Sequence, residues 1–212
     1  MRTTGYCLVA WLLAALPALA QDWPQWRGPA RDGVVPAAVT PEAWPEAWER
    51  QWTSEIGEGY SSPVVVGDHA YTFSRQDQLE IVTAVALSDG TVSWQQLYQA
   101  PFEQNSYALS VAKGPYATPL VAGGRIYTVG VTGIVSAWPV EGGPPLWQRN
   151  FTHLFDTTDL FCGTAASPLL VDDLLVVLSA WGTMDHDMDV DGDMMVGVAE
   201  LLFVIGAWGD CH

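Results

Sequence analysis

Three stretches of this chain repeat one another at a period of about 50 residues, and a unit of that length must bury its apolar face against its neighbours to be stable. Ser62-Pro63-Val64-Val65-Val66-Gly67-Asp68-His69-Ala70-Tyr71-Thr72 aligns with Thr118 to Thr128 (TPLVAGGRIYT) and with Ser167 to Val177 (SPLLVDDLLVV). Each copy is a short β-branched run, a two-residue Gly/Asp turn and a second short run, which is the signature of a hairpin. Twenty glycines and fourteen prolines agree with many turns rather than long helices.

A second element recurs later in the copies. Ala84, Gly90 and Trp94 in AVALSDGTVSW share the spacing A-x5-G-x3-W with Ala137, Gly143 and Trp147 in AWPVEGGPPLW. This describes a strand end, a glycine-assisted turn, and a Trp on the return strand that can lay its indole on an adjacent sheet. Each repeat then holds four strands, the pattern of a β-propeller blade.

The A-x5-G-x3-W element resembles the tryptophan-docking motif of pyrroloquinoline quinone (PQQ)-type propellers. The opening Gln21 to Val34 (QDWPQWRGPARDGV) is similar to the start of secreted PQQ-like repeat proteins. Gly59-Tyr60-Ser61-Ser62-Pro63, Gln104-Asn105-Ser106-Tyr107 and Cys162-Gly163-Thr164-Ala165-Ala166-Ser167-Pro168 add to the resemblance, which covers about residues 21–178. The family's Asp two residues after the motif Ala is Ala86 in one copy and Pro139 in the other, so both motifs are degraded. The expected fold is mainly β: a partial propeller of about two and a half four-stranded blades. Residues 60–98 and 116–152 would form the two whole blades, within a repeat region spanning 59–178. An N-terminal segment, 21–58, precedes it, and Trp44 to Ile56 resembles the strand that closes such rings. An open arc exposes its blade faces unless copies associate to complete the propeller, the N-terminal segment folds back, or the arc is unstable.

Twenty-four acidic against eight basic residues, with Lys113 the one lysine, leaves no basic stripe for displacing phosphate counterions, which excludes nucleic acid as a partner. Residues 1–20 combine Arg2, the apolar run Cys7 to Leu16, and the small-x-small end Ala18-Leu19-Ala20, and read as a cleaved signal peptide. The apolar core is shorter than the roughly 20 residues a spanning helix requires, so no transmembrane anchor is expected after cleavage. No lipobox precedes Cys7. The mature chain is expected to be exported: periplasmic, outer-membrane-associated or secreted. Its two cysteines, Cys162 and Cys211, either pair, closing a loop worth about 4 kcal/mol in the chain-entropy model, or remain free thiols.

Beyond residue 178 a different repeat appears. Asp172 to Gly182 aligns with Ala199 to Gly209 at an offset of 27, and residues 183–212 hold seven acids and no Lys or Arg. Alternate carboxylates followed by an acid at the twelfth loop position supply the converging hard oxygens a calcium ion needs. In the preferred register Asp189, Asp191 and Asp193 take positions 1, 3 and 5, Met195 gives its carbonyl, and Glu200 closes the loop. Starting instead at Asp187 places Gly192 at the sharp turn but leaves Val198 at position 12. The first register's defect is Met194 where glycine is expected, about 1 kcal/mol if that backbone turns left-handed, so calcium would be held weakly. The loop plus Leu201 to Ile205 resembles a dockerin-type or EF-hand-like unit, which implies a short helical calcium module over 179–212. Its first unit would have lost ligands at Cys162, Thr164 and Ala166, keeping Asp173. Residues 167–182 belong to both patterns, and the β-branched residues favour strand through about Val177.

No adjacent cysteine pair, nucleophile elbow, zinc-protease helix or phosphate loop is present. His153, Asp156 and Asp159 are better explained by loop polarity than by catalysis. No catalytic or cofactor-binding residue is assigned, and no PQQ is expected. The expected function is non-catalytic binding or scaffolding of a protein or cell-envelope partner, as the resemblance to the outer-membrane assembly propeller subunit implies, with the calcium module for attachment. The alternatives are a PQQ-dependent oxidoreductase fragment, or a truncated or fused relic without independent function.

Overall fold

The computed structural model describes residues 22–35, 43–103, 113–151, 163–171, 174–177 and 203–206. Two four-stranded antiparallel sheets and a three-stranded one follow one another along the chain. The first contains β1 (Val64–Val66), β2 (His69–Gln76), β3 (Leu79–Ala86) and β4 (Val92–Gln99); the second contains β5 (Leu120–Ala122), β6 (Arg125–Val129), β7 (Ile134–Pro139) and β8 (Trp147–Asn150). The third joins β9 (Leu169–Val171), β10 (Leu174–Val177) and β11 (Phe203–Gly206). Among the described residues there is no helix.

The first two hairpin turns fall at Gly67-Asp68 and Gly123-Gly124. Gly123 and Gly124 both adopt positive φ, 55° and 72°, the conformation a tight two-residue turn needs to match strand twist. Equivalent residues of the first hairpin in each sheet share one register: Val64 pairs with Tyr71, Leu120 with Tyr127 and Leu169 with Val176.

The sheets stack face to face. Val64, Tyr71, Phe73, Val82 and Ala84 of the first sheet meet Val121, Ile126 and Trp138 of the second. The other face of the second sheet presents Leu120, Tyr127, Val129, Val135 and Ala137 to Leu175 and Val177 of the third. Because successive side chains of a strand point to opposite faces, a sheet covered on both sides is apolar at adjacent positions, as Ile126 and Tyr127 are.

The outer face of the first sheet is covered by the chain's own N-terminal part. From Gln51 to Gly57 burial alternates, with Trp52, Ser54 and Ile56 half-buried and Gln51, Thr53, Glu55 and Gly57 exposed. Ser74, on the side of β2 away from the second sheet, donates its hydroxyl to the Ile56 carbonyl, and Glu58 forms an isolated antiparallel bridge with Arg75. Within the stretch 44–56, residues 52–56 thus lie along the first sheet.

One expected element takes another form. The dockerin resemblance implies a helix over 201–205, whereas Phe203–Gly206 is a strand paired with the whole of β10. The physical reason is an open hydrogen-bonding edge on β10, which selects the extended state for a run containing Phe203, Val204 and Ile205. The calcium-loop residues Asp189, Asp191, Asp193, Met195 and Glu200 lie outside the described residues, as do the signal sequence, Gln104 to Tyr107, His153, Asp156, Asp159 and both mature cysteines.

Candidate interaction surface

The repeated tryptophans join consecutive sheets. Ala84 is fully buried and stands opposite Trp94 across β3 and β4, so the small side chain leaves room for the indole beside it. Trp94 packs near Tyr71, with ring centroids 6.2 Å apart, and its Nε1 donates to the Val140 carbonyl of the next sheet at 3.0 Å. Ala137, Tyr127 and Trp147 repeat the arrangement, with centroids 6.3 Å apart, on the side facing the third sheet.

The same joint occurs once more, upstream. Trp52 donates its Nε1 to the Leu87 carbonyl at 2.8 Å, and Leu87 occupies in its copy the place Val140 occupies in the next. Trp52 also lies against Gly90, where a Cβ would come within 2.5 Å of the ring. Residues 51–57 are therefore seated on the first sheet as Trp94 and its strand are seated on the second.

The glycine that receives Trp94 is Gly142, not the motif residue Gly143. A Cβ on Gly142 would lie 2.9 Å from the Trp94 ring, whereas the atom closest to Gly143 is Pro139 Cγ at 3.7 Å. Gly143 serves the turn itself, with φ of 113°. A second repeated contact escaped the motif. Gln95 and Gln148, each following a docking Trp, donate side-chain amides to Thr83 and Ser136 respectively. The dipeptide Trp-Gln, present in both copies, was the signal for it.

Between the first and second sheets lies a buried polar node. Glu80 and Arg75 are fully buried with 3.6 Å between Oε1 and Nη1. Glu80 accepts the Val131 backbone N–H at 2.7 Å and the Tyr98 hydroxyl at 2.5 Å, while Arg75 donates to the carbonyls of Asp77 and Ala100. Gly130 makes the approach of the carboxylate possible, since a Cβ there would overlap Glu80 Oε2. Burial pushes the Glu80 carboxyl above the ordinary range, against the downward pull of Tyr98, Val131 and Arg75. Burial and the adjacent Glu80 carboxyl likewise raise the Tyr98 hydroxyl well above its usual value.

The N-terminal segment ties the inner strands. Trp23 exchanges both backbone hydrogen bonds with Val65 of β1, at 2.7 and 2.9 Å, and Pro24 accepts the N–H of Val121 in β5 at 2.8 Å. Arg31 then reaches the carbonyl of Pro168, just before β9, at 3.1 Å. The indole of Trp23 fills the space beside Gly28, and the guanidinium groups of Arg27 and Arg31 lie 5.4 and 5.5 Å from the centre of the Trp26 ring.

What remains outward is aromatic and acidic. Trp44 and Trp48 are 62% and 74% exposed and tilt against each other at 5.7 Å, a pairing of the residue type most enriched at binding hot spots. An open recess of about 470 Å³ beside residues 55–58 carries the carboxylates of Glu55, Glu58 and Asp77. Among the described residues no group of three His, Cys, Asp or Glu side chains is placed to hold a metal ion.

Stacked four-stranded antiparallel sheets joined through a repeated tryptophan define a propeller-repeat protein of the PQQ type. The family model described as outer membrane protein assembly factor BamB matches residues 31–184, and the chain belongs to that family. It is 30% identical over 94 residues to the outer membrane protein assembly factor BamB of Aliivibrio fischeri (strain ATCC 700601 / ES114), an alignment covering 44% of this chain and 23% of that protein. The chain therefore spans under a quarter of that curated relative. Among solved structures, BamB from Moraxella catarrhalis is similar with a TM-score of 0.48 and 19% identity, over 62% of this chain and 38% of that one. The quinohemoprotein alcohol dehydrogenase from Comamonas testosteroni gives a TM-score of 0.43 and 16% identity, over 60% and 18% of the respective chains.

Proposed function

We propose that this chain is an exported, non-catalytic propeller-repeat protein that acts by holding a protein or cell-envelope partner. The observation that carries the reading is the family match over residues 31–184, since the relative of that description is an outer-membrane assembly factor. Two features of the described region support it. Glu80, buried between the first and second sheets, is hydrogen-bonded to Tyr98, and exposed aromatic side chains lie outside, where a partner would meet them.

On this reading the acidic loop is a calcium site, with the carboxylates of Asp189, Asp191, Asp193 and Glu200 and the carbonyl of Met195 as ligands. The support is the donor set: four hard anionic side chains at alternate and terminal positions of one loop. In sequence the loop falls between β10 and β11, so it is an insertion within a sheet and its calcium would brace that connection.

The reading is tested in a Gram-negative host exporting the full chain with a photo-crosslinking residue in place of Trp48. A discrete adduct in the envelope fraction is expected, and its absence at Trp48 and Trp44 alike would overturn the binding role. The purified protein given PQQ and calcium is expected to show no quinone absorbance and to reduce no dye with an alcohol. A positive signal there would make the oxidoreductase reading correct instead.

A further inference from the structure

Three side chains beside the β1–β2 turn are linked in series, apart from the surface described above. Asp68 Oδ1 lies 2.6 Å from His69 Nδ1, and His69 Nε2 lies 3.0 Å from the Ser93 hydroxyl oxygen. A carboxylate only accepts hydrogen bonds, so Nδ1 carries the proton that it gives to Asp68. In the neutral imidazole Nε2 is then the bare nitrogen, and Ser93 is the donor to it. An oxygen nucleophile thus aims its proton at a base, and a carboxylate sets the tautomer and orientation of that base.

The first sheet builds this series across three strands. Asp68 ends the turn, His69 opens β2 and Ser93 belongs to β4, with β3 between them. The β3 residue paired with His69 is Ala86, whose methyl group leaves the imidazole a way across to β4. The register of β3 against β4 shifts between Ala84 and Val85, so that Trp94 pairs with Ala84, Val92 pairs with Val85, and Ser93 is the extra residue of a β-bulge. Such a bulge re-aims a side chain relative to the pleat. The repeat itself does not require the trio. Its aligned positions in the second copy are Gly124, Arg125 and Leu146, yet that copy keeps the four-stranded sheet and the docking Trp.

Asp68 and Ser93 are exposed and His69 is half-buried, so a reagent reaches the hydroxyl from solvent. The ring of Tyr71 lies 6.1 Å from that of His69, and burial, then the carboxylates of Asp68 and Glu141, raise its hydroxyl above the usual value. Two acids therefore border the site, which favours an uncharged reagent over an anionic one. We propose that Ser93 is a covalent acceptor site, acylated by an uncharged activated ester with His69 as the base. The Ser93 Oγ bonds to the ester carbonyl carbon while its proton passes to Nε2. The bond from that carbon to the leaving oxygen then breaks, and the proton moves on to the departing oxygen. The products are an ester on Ser93 and a free alcohol or phenol. This is one event per chain and not turnover. It uses neither the tryptophan pair nor the acidic recess, so it stands whether or not the binding reading above holds.

The test treats the full exported chain with p-nitrophenyl acetate, follows p-nitrophenol release and locates the acetyl group by peptide mass mapping. A phase of one equivalent per chain is expected, with the acetyl group on Ser93. Ser93→Ala is expected to lose that phase, and His69→Gln to slow it about 100-fold. Asp68→Asn is expected to slow it by less, because that carboxylate is exposed, and all three variants should keep the wild-type melting transition. Acetylation of Ser93 no faster than that of the other exposed serines overturns the proposal. So does an unchanged rate in His69→Gln, since the hydroxyl would then react without its base.

Discussion

Glu80 shows how one side chain fixes the spacing of two sheets. Its carboxylate is compatible with burial because the Val131 N–H, the Tyr98 hydroxyl and the Arg75 guanidinium surround it. Replacing it by Gln leaves Arg75 buried without a counter-charge, and we expect a loss of about 3 kcal/mol, read from chemical denaturation. The pH dependence has a definite sign. A carboxyl whose folded-state value is raised binds its proton more readily when folded, so its contribution to stability is greatest in acid. That contribution falls as pH climbs from the ordinary glutamate range through the raised value. Melting temperatures across that interval should decline less steeply in Glu80→Gln than in the wild type. Gly142→Ala should cost about 2 kcal/mol, because its φ of 89° and the Trp94 ring both oppose a Cβ. Gly143→Ala, with no ring against it, should cost about 1 kcal/mol. None of this residue-level detail was legible beforehand. The Glu80 position corresponds to Gly133 in the second copy, so no repeat signals it, and two adjacent glycines do not declare which one faces the indole.

At the scale of elements the sequence was far more informative. The hairpins β1–β2, β5–β6 and β9–β10 were legible because a β-branched run, a turn pair and another run are local instructions repeated three times. Ala84 with Trp94, and Ala137 with Trp147, were legible because the small and the large residue must face each other across a strand pair. The strand β11 was not, since an apolar run such as Leu201 to Ile205 suits helix or strand, and the deciding partner, β10, is remote in sequence. The sequence between those two strands carries the calcium prediction. Adding calcium should raise the melting temperature of the wild-type chain by a few degrees, on the order of 1 kcal/mol of linkage. In Asp191→Ala calorimetry should detect no calcium uptake and the shift should vanish. An equal shift in both proteins would assign it to nonspecific salt effects.

For the whole molecule, the N-terminal segment bonds to the first and second sheets and to Pro168, just before the third. Its role was not legible, because it acts largely through backbone carbonyls and N–H groups, which leave no mark on composition. Trp23→Ala should loosen the segment from β1 and from Gly28 together, at a cost of about 2 kcal/mol. Limited proteolysis should then cut first near residues 27–33. The bond from Arg31 to Pro168 has a temporal consequence as well, since it spans 137 residues. During synthesis the amino end emerges first, yet its bond to Pro168 is made only when residue 168 has followed. The segment made earliest is therefore locked late, so the strap acts as a completion check on the sheets it binds.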